Sequence, residues 1–462
     1  MEAAMAELTA RDQLMLELIN RARMDPASEA ARLGVDLNAN LPPGTITFDP
    51  KQVLAPNPLL TGAGLVHAQF MIDSNTFTYQ GVGDTNFVQQ ITGTGYDIGD
   101  PPAVGAAIAA ITATEAEADA GIPVLYAAMY NNTFQRMSIY NDALQEFGMG
   151  SDVGLANFFG SGAISTLALS IFYASPATPQ VFVTGVHYAD TDANDFYSIG
   201  EGEGGRTVNL LQNEAVVATG HTGTAGGYSL ATAISGRVEI QFSGGGLAAT
   251  YGATFQLGAT NVKIDLIDDH SISSNVSVAL TAASQSLNLI GIGQISGKGN
   301  GLDNDISGNA AKNALFGLTG DDLLLGKAGN DRLFGGRGGD TLDGGARNDQ
   351  LTGEAGSDIL TGGSGKDSFV FTGLSDMPKL AQCDVITDFT PGTDSINLSQ
   401  FGGLSFLNGT GHGEFSGLGA GSEGQVRFVT GFLEIDTDGN GNADFRVALS
   451  GSPVLGIGDV IL

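Results

Sequence analysis

Between Ile306 and Phe369 an apolar residue returns at every ninth position, through Leu315, Leu324, Leu333, Leu342, Leu351 and Leu360. The third residue of each step is glycine, at 308, 317, 326, 335, 344, 353 and 362. The eighth is Asn313 in the first step and Asp322, Asp331, Asp340, Asp349, Asp358 and Asp367 in those that follow. A register kept this strictly marks a stacked repeat rather than a flexible Gly-rich linker, because each unit buries its apolar residue only against its neighbours. The period predicts a parallel β-roll. If two nonapeptides make one coil, residues 18 apart stack on one edge.

That stacking has a chemical consequence. Glycine turns let backbone carbonyls approach a hard cation, one carboxylate per turn supplies charge, and calcium takes about 6–8 oxygen ligands. Calcium ions are therefore expected between Asp322 and Asp340, Asp331 and Asp349, Asp340 and Asp358, and Asp349 and Asp367, with Asn330 and Asn348 beside them. Arg347 replaces the glycine of its turn and Asn313 the aspartate of its step, so departures are expected there.

Ahead of the array the apolar period differs. From Thr9 to about Gly150 it is helical: Thr9 and Asp12 stand at capping-box spacing before the stripe Leu14, Met15, Leu18 and Ile19. Asp25-Pro26 and Asn57-Pro58 each read as an N-cap followed by a first helical residue, with Gly34 as a stop. Ala103–Ala120 and Tyr126–Phe147 read as two further helices. From Ala163 the period shortens, and ALSIFYA and QVFVTGVHY read as strands closing a first domain. TVNLL, AVVATG, RVEIQF and TFQLG, set between Gly/Asn turns, predict a small β-sandwich over 181–270. Residues 271–300 read as a linker and the start of the β-roll.

Composition narrows the partners. A net charge of −31 argues against nucleic acid and anionic lipid and for bound cations. The single cysteine, Cys383, excludes an intramolecular disulfide. No apolar run reaches the roughly 20 residues a membrane span needs. The opening MEAAMAELTARD is acidic where a secretory signal is basic, so an export address is expected elsewhere.

Two further stretches have oxygen-ligand spacing. DTDANDFYSIGE sets Asp190, Asp192, Asn194 and Glu201 at the first, third, fifth and twelfth places of an EF-hand-like loop, with Asp195 where that loop needs glycine. DTDGNGNAD carries Asp436, Asp438, Asn440 and Asp444, without a glutamate at the twelfth place.

The block GGRGGDTLD and its neighbours resemble the RTX nonapeptide family, which implies calcium and a parallel β-helix. DSFVFTG and CDVITDFTPGTDSINLSQF resemble the serralysin-type C-terminal region, and Asp459-Val460-Ile461-Leu462 is similar to the terminal tetrapeptide of type I secretion substrates. This resemblance implies a type I exporter as partner and a secreted, extracellular protein. LMLELINRARMDPASEAARLG, NPLLTGAGLVHAQFMIDSNTFTYQG and FQRMSIYNDALQEFGMG resemble, in order, the bacterial CAP (SCP-like) superfamily over about residues 8–190, implying an α/β/α sandwich. Tyr79 and Gln135 stand where that family's motifs place histidines, so no metal chemistry is expected in its cavity. His67 matches a motif histidine but shares a helical face with Leu60, Ala63 and Met71, which favours a satisfied core residue.

No histidine begins H-E-x-x-H, since the five are followed by Ala68, Tyr188, Thr222, Ser271 and Gly413, and no serine lies in G-x-S-x-G. The expected chain is thus an exported calcium-binding protein with a CAP-like domain at 1–180, a calcium-loop β-module at 181–270 and a β-roll with secretion signal at 301–462. The CAP-like domain is expected to bind an unidentified ligand or protein without catalysis. A secreted hydrolase with a non-standard site, and an adhesin or surface-layer component retained at the cell surface, are the alternatives.

Overall fold

A computed structural model of the chain describes residues 7–160, 162–281, 283–373, 383–407 and 424–462. It divides into two compact units, Met1–Gly252 with Gln256–Asp269, and Ala253–Phe255 with His270–Leu462.

In the first unit the caps fall where residue types place them. Helix α1 (Ala10–Met24) starts with Thr9 and Asp12 bonding reciprocally, and α2 (Pro26–Leu33) starts with Asp25 accepting from Ser28 N–H and stops at Gly34, φ 65°. Asn57 caps α3 (Pro58–Ser74) by accepting from the N–H groups of Leu59 and Leu60. Then follow α4 (Phe87–Gly93), α5 (Ala118–Asn131) and α6 (Thr133–Ile139). Strands β1 (Ala55–Pro56), β2 (Val104–Thr112), β3 (Glu146–Ala156) and β4 (Ile164–Ala174) form a sheet in the order β1-β3-β4-β2.

The alternation of β4 shows why helices cover both faces. Leu167, Leu169, Ile171 and Tyr173 pack with α1 and α5 residues such as Met15, Ile19, Ile122 and Leu125. Ala168, Phe172 and Ala174 pack instead with Leu60, Ala63, Met71 and Ile72 of α3. The result is a three-layer α/β/α arrangement, helices on each face of one sheet.

Two segments expected as helices are divided differently. Ala103–Ala120 contains strand β2 before α5 begins, and Tyr126–Phe147 is cut into the end of α5, α6 and the start of β3. Alanine-rich β2 has helical propensity, but its nine-residue antiparallel pairing with β4 and burial between two layers override it. QVFVTGVHY also lies elsewhere than expected: β5 (Val181–Tyr188) pairs with β8 (Gly227–Thr232) and β11 (Val262–Ile267), not with the four-stranded sheet. Between them run β6 (Thr207–Gln212), β7 (Ala215–His221), β9 (Gly236–Ser243) and β10 (Tyr251–Leu257), and β6 pairs with both β7 and β9. Tyr228 of β8 meets Phe242 of β9 edge-on, 5.5 Å between ring centres.

Two arginines are fully buried in this unit. Arg23 donates to the carbonyls of Gln52, Ile139, Asn141 and Leu144, and Arg136 to those of Leu37, Ala39, Tyr130 and Asn131. Each guanidinium fork thus ties loop carbonyls to the last carbonyls of a helix, α6 for Arg23 and α5 for Arg136.

The second unit is a parallel β-solenoid, completing a multidomain chain with a mixed α/β N-terminal region. Leu315, Leu333, Leu351 and Phe369 stack on one face and Ile306, Leu324, Leu342 and Leu360 on the other, each at most 1% exposed. Pairing begins before the array, with Ser271–Ser274 on Ser286–Leu289, and continues after it through Val385–Ile386 and Ser395–Asn397.

Gly148 and Gly150 of β3 let α3 rest backbone to backbone on the sheet. A Cβ at Gly150 would overlap the backbone of Leu65, and one at Gly64 would stand 2.6 Å from Gly150 N. Gly150→Ala should lower the unfolding free energy of the first unit by about 3 kcal/mol. A thermal unfolding midpoint within a degree or two of the parent would contradict this packing.

Candidate metal centres

Each array aspartate is buried at the stacking edge of its coil. The N–H of the residue 18 positions earlier donates to its Oδ1: Asn304 to Asp322 (2.7 Å), Asn313 to Asp331 (2.7 Å), Asp322 to Asp340 (2.8 Å), Asp331 to Asp349 (2.7 Å), Asp340 to Asp358 (2.9 Å) and Asp349 to Asp367 (2.9 Å). Between residues expected to sandwich an ion there is therefore a backbone hydrogen bond, and one oxygen of each carboxylate is committed to it. The other oxygen decides the chemistry. Oδ2 of Asp322, Asp331, Asp340, Asp349 and Asp367 is buried without a hydrogen-bond partner.

The asparagine turns show what a self-sufficient coil looks like. Asn304 and Asn313 accept from the N–H of Asn300 and Asn309, four residues back, and their amides donate to Gln285 and Ile295 carbonyls. At the aspartate turns the residue four back adopts positive φ instead: Leu318 89°, Lys327 69°, Gly336 119°, Gly345 94°, Glu354 67° and Gly363 89°. Glycine at the third position keeps the space beside Oδ2 open. A methyl group on Gly344 would stand 2.7 Å from Asp349 Oδ2 and 2.8 Å from Gly362 O, and one on Gly326 2.8 Å from Asp331 Oδ2 and 2.5 Å from Gly344 O. Carboxylate and carbonyl oxygens thus converge with no donor between them, an arrangement that fits a hard divalent cation. Arg347 keeps the turn of the glycine it replaces, at φ 82°.

Residues 273–462 match the peptidase M10 serralysin C-terminal family. They form a serralysin-like β-solenoid. The repeat subunit R3 of a mannuronan C5-epimerase from Azotobacter vinelandii is 28% identical over 35% of this chain and 78% of that one, with a TM-score of 0.21. No curated protein matches the chain.

Beyond the array the serralysin-like solenoid extends its own ladder with residues that the nine-residue step does not reach. Asp384 Oδ1 accepts from Asp358 N–H and Asp394 Oδ1 from Asp367 N–H, at offsets of 26 and 27 residues. Asp384-Val-Ile386 and Asp394-Ser-Ile396 repeat the Asp-x-aliphatic pattern of the array, which is the signal that identifies them. Asn330 and Asn348 lie on the exposed rim, where their side chains accept from Asn348 N–H and Lys366 N–H.

Two acidic loops gather as their spacing anticipates. Asp190, Asp192 and Glu201 bring one carboxylate oxygen each within 4.8 Å of one another, and Asp195 takes φ 57° where the EF-hand pattern has glycine. Asn194 bonds Ser198 Oγ and Phe196 N–H. Asp436, Asp438 and Asp444 gather likewise at the hairpin joining Phe432–Asp436 to Phe445–Leu449, while Asn440 bonds Asp438. A third group, His187, Glu203 and Asp269, comes from positions too distant in sequence to be read as a motif. Arg206 lies against its Glu203 and Asp269, so a cation already serves these carboxylates.

In the first unit Gln135 Nε2 donates to Tyr79 Oη at 3.2 Å, joining residues 56 apart in sequence. His67 is satisfied on both ring nitrogens, by Ser170 Oγ at 2.8 Å and Gln80 O at 3.2 Å.

Burial raises the array carboxyls against the opposing backbone N–H: Asp340 and Asp349 to about 7 and Asp322 and Asp367 upward, with neighbouring carboxylates adding to the rise, and Asp331 to about 6 although Lys312 opposes it. A carboxyl whose folded pKa exceeds its unfolded value of about 3.9 holds more protons when folded, so stability falls as pH rises between the two. Without divalent cations the solenoid should therefore be most stable near pH ~4 and weaken steadily to about pH 7.5. Amide hydrogen exchange across residues 306–370 in chelator measures this, and protection that grows with pH would contradict the burial described.

Proposed function

We propose that the chain is an exported calcium-binding protein whose serralysin-like solenoid orders on extracellular calcium, and whose first unit is a CAP-like, non-catalytic binding module. The observation that carries the calcium reading is the row of buried carboxylate oxygens without donors, those of Asp322, Asp331, Asp340 and Asp349 each at a gap that a glycine carbonyl also borders. Cytosolic calcium lies far below the roughly 10⁻⁴–10⁻³ M dissociation constants of extracellular modules, so the turns stay unliganded inside the cell. There the facing carboxylates repel and the glycines oppose ordering. Outside, each filled site contributes about 1.4 kcal/mol when the ion is tenfold above its dissociation constant, and adjacent coils share the gain. The loops at 190–201 and 436–444 are proposed as further calcium sites on the strength of their gathered carboxylates.

The α/β/α layering and the meeting of Tyr79 with Gln135 support the CAP-like reading, and the absence of imidazole at those two positions supports binding rather than chemistry. Type I export is supported by the family of residues 273–462. Val460–Ile461 also pairs with Ser395–Asn397, and Asp459 Oδ1 accepts from Gly392 N–H, so the same tail completes the solenoid.

Calcium titration of the full chain should protect residues 306–370 from hydrogen exchange cooperatively. Asp340→Ala, inside the stack, should raise the calcium midpoint about threefold or more, and by more than Asp367→Ala near its end. Protection already complete in chelator at neutral pH would overturn the calcium reading. In cells carrying a type I exporter, removal of residues 458–462 should leave the protein inside, and undiminished secretion would overturn the export reading.

A further inference from the structure

We propose that the open edge of β2 receives a short, extended, uncharged peptide segment of a partner, added to the sheet as a further strand. The proposal deepens the reading of the first unit as a binding module, and its failure leaves the calcium reading untouched.

Strand β2 is the last in its sheet, and among the described residues no strand pairs with its outer side. The direction of its main-chain groups follows from its ends. Ser175 N–H donates to Ala103 O and Ala113 N–H to Ser165 O, both on the β4 side. Odd-numbered residues therefore bond inward, and Val104, Ala106 and Ile108 turn their N–H and C=O outward. Gln135 confirms the direction: its Nε2 donates to Ile108 O at 2.9 Å, as the N–H of an added strand would. Its Oε1 is buried without a hydrogen-bond partner, on a side chain 7% exposed.

Next to this rung the outward groups of Val104 and Ala106 open on a cavity of about 960 Å³, walled by Phe87, Phe134 and Met137. Phe134 is 78% exposed and Met137 40%, so the wall is apolar and accessible. The carboxylate of the lining, Asp142, lies 3.5 Å from Lys51 Nζ. A charged occupant would lose water without gaining a counter-charge, which selects a neutral one. A purely hydrocarbon occupant would cover the wall but leave the main-chain groups of Val104 and Ala106 unmet, at a cost an extended peptide avoids. Strand addition supplies both contacts, main chain for affinity and alternate side chains for the apolar wall. Gln135 ends the groove, so the segment is about four residues long, at roughly 3.3 Å per residue.

The test titrates the full chain, in calcium, with the capped tetrapeptide acetyl-Val-Thr-Val-Ala-amide by calorimetry. Saturable one-to-one binding is expected. N-methylation of the amides that face β2 should weaken it at least about tenfold, the effect of losing one hydrogen bond. Ala106→Pro removes an outward donor from an edge strand, where proline is tolerated, and should weaken binding about as much with an unchanged unfolding midpoint. Phe134→Ser, on an exposed side chain, should weaken binding severalfold and guards against a folding defect in the proline variant. Equal binding of the N-methylated peptide, or no saturable binding up to millimolar peptide, would overturn the proposal. So would a dimer by light scattering that Ala106→Pro dissolves. Decanoate filling the cavity while peptides do not would overturn strand addition and leave the binding module standing.

Discussion

A carboxylate taken out of water needs each of its oxygens met, and at Asp322, Asp331, Asp340, Asp349 and Asp367 the backbone meets only one. The N–H of the preceding coil reaches Oδ1, which fixes the side chain's direction, and at Asp322, Asp331, Asp340 and Asp349 it leaves Oδ2 at a gap that a glycine carbonyl also borders. Other features of the turn accommodate that remainder. Glycine at the third position keeps a methyl group out of the gap, positive φ four residues before the aspartate withdraws the backbone donor seen at the asparagine turns, and the buried aliphatics hold the coils in register. The apolar stack alone is thin, one residue per nine, so the electrostatics of the edge decide whether the coils stand.

The solenoid was legible because its constraint is local and recurs. Leu324, Gly326 and Asp331 each answer to a contact made identically one coil away, so spacing alone reveals the partner. Where the chain departs from the step the reading faltered: Asp384 and Asp394 continue the ladder at 26 and 27 residues, and the strands of 271–300 lack the aspartates that mark the rest. Asn330 and Asn348 show the limit of reading by residue type, since an exposed rim and a buried edge can both carry an amide beside an aspartate.

The first unit is held by contacts that no period announces. Its caps could be read, because Thr9, Asp25 and Asn57 act within three residues of themselves. Its strand β2 could not, because alanine suits a helix in isolation and a sheet only when β4 lies beside it. Arg23 and Arg136 look like surface cations in the sequence, yet both are buried, each binding carbonyls at a helix C-terminus together with carbonyls of a loop distant in sequence. The cluster of His187, Glu203, Asp269 and Arg206 belongs to the same class, assembled by the sheet that joins β5 to β11.

Asn304 and Asn313 give the solenoid a direction. These two turns satisfy their own side chains with ordinary donors and acceptors, so they can form before any ion arrives. Each offers an N–H to the aspartate of the next coil, and that coil, once ordered, offers its own to the one after. The stack is thus polar in its main-chain bonding: it runs from turns whose side chains are met by the protein alone to turns whose second carboxylate oxygen is not.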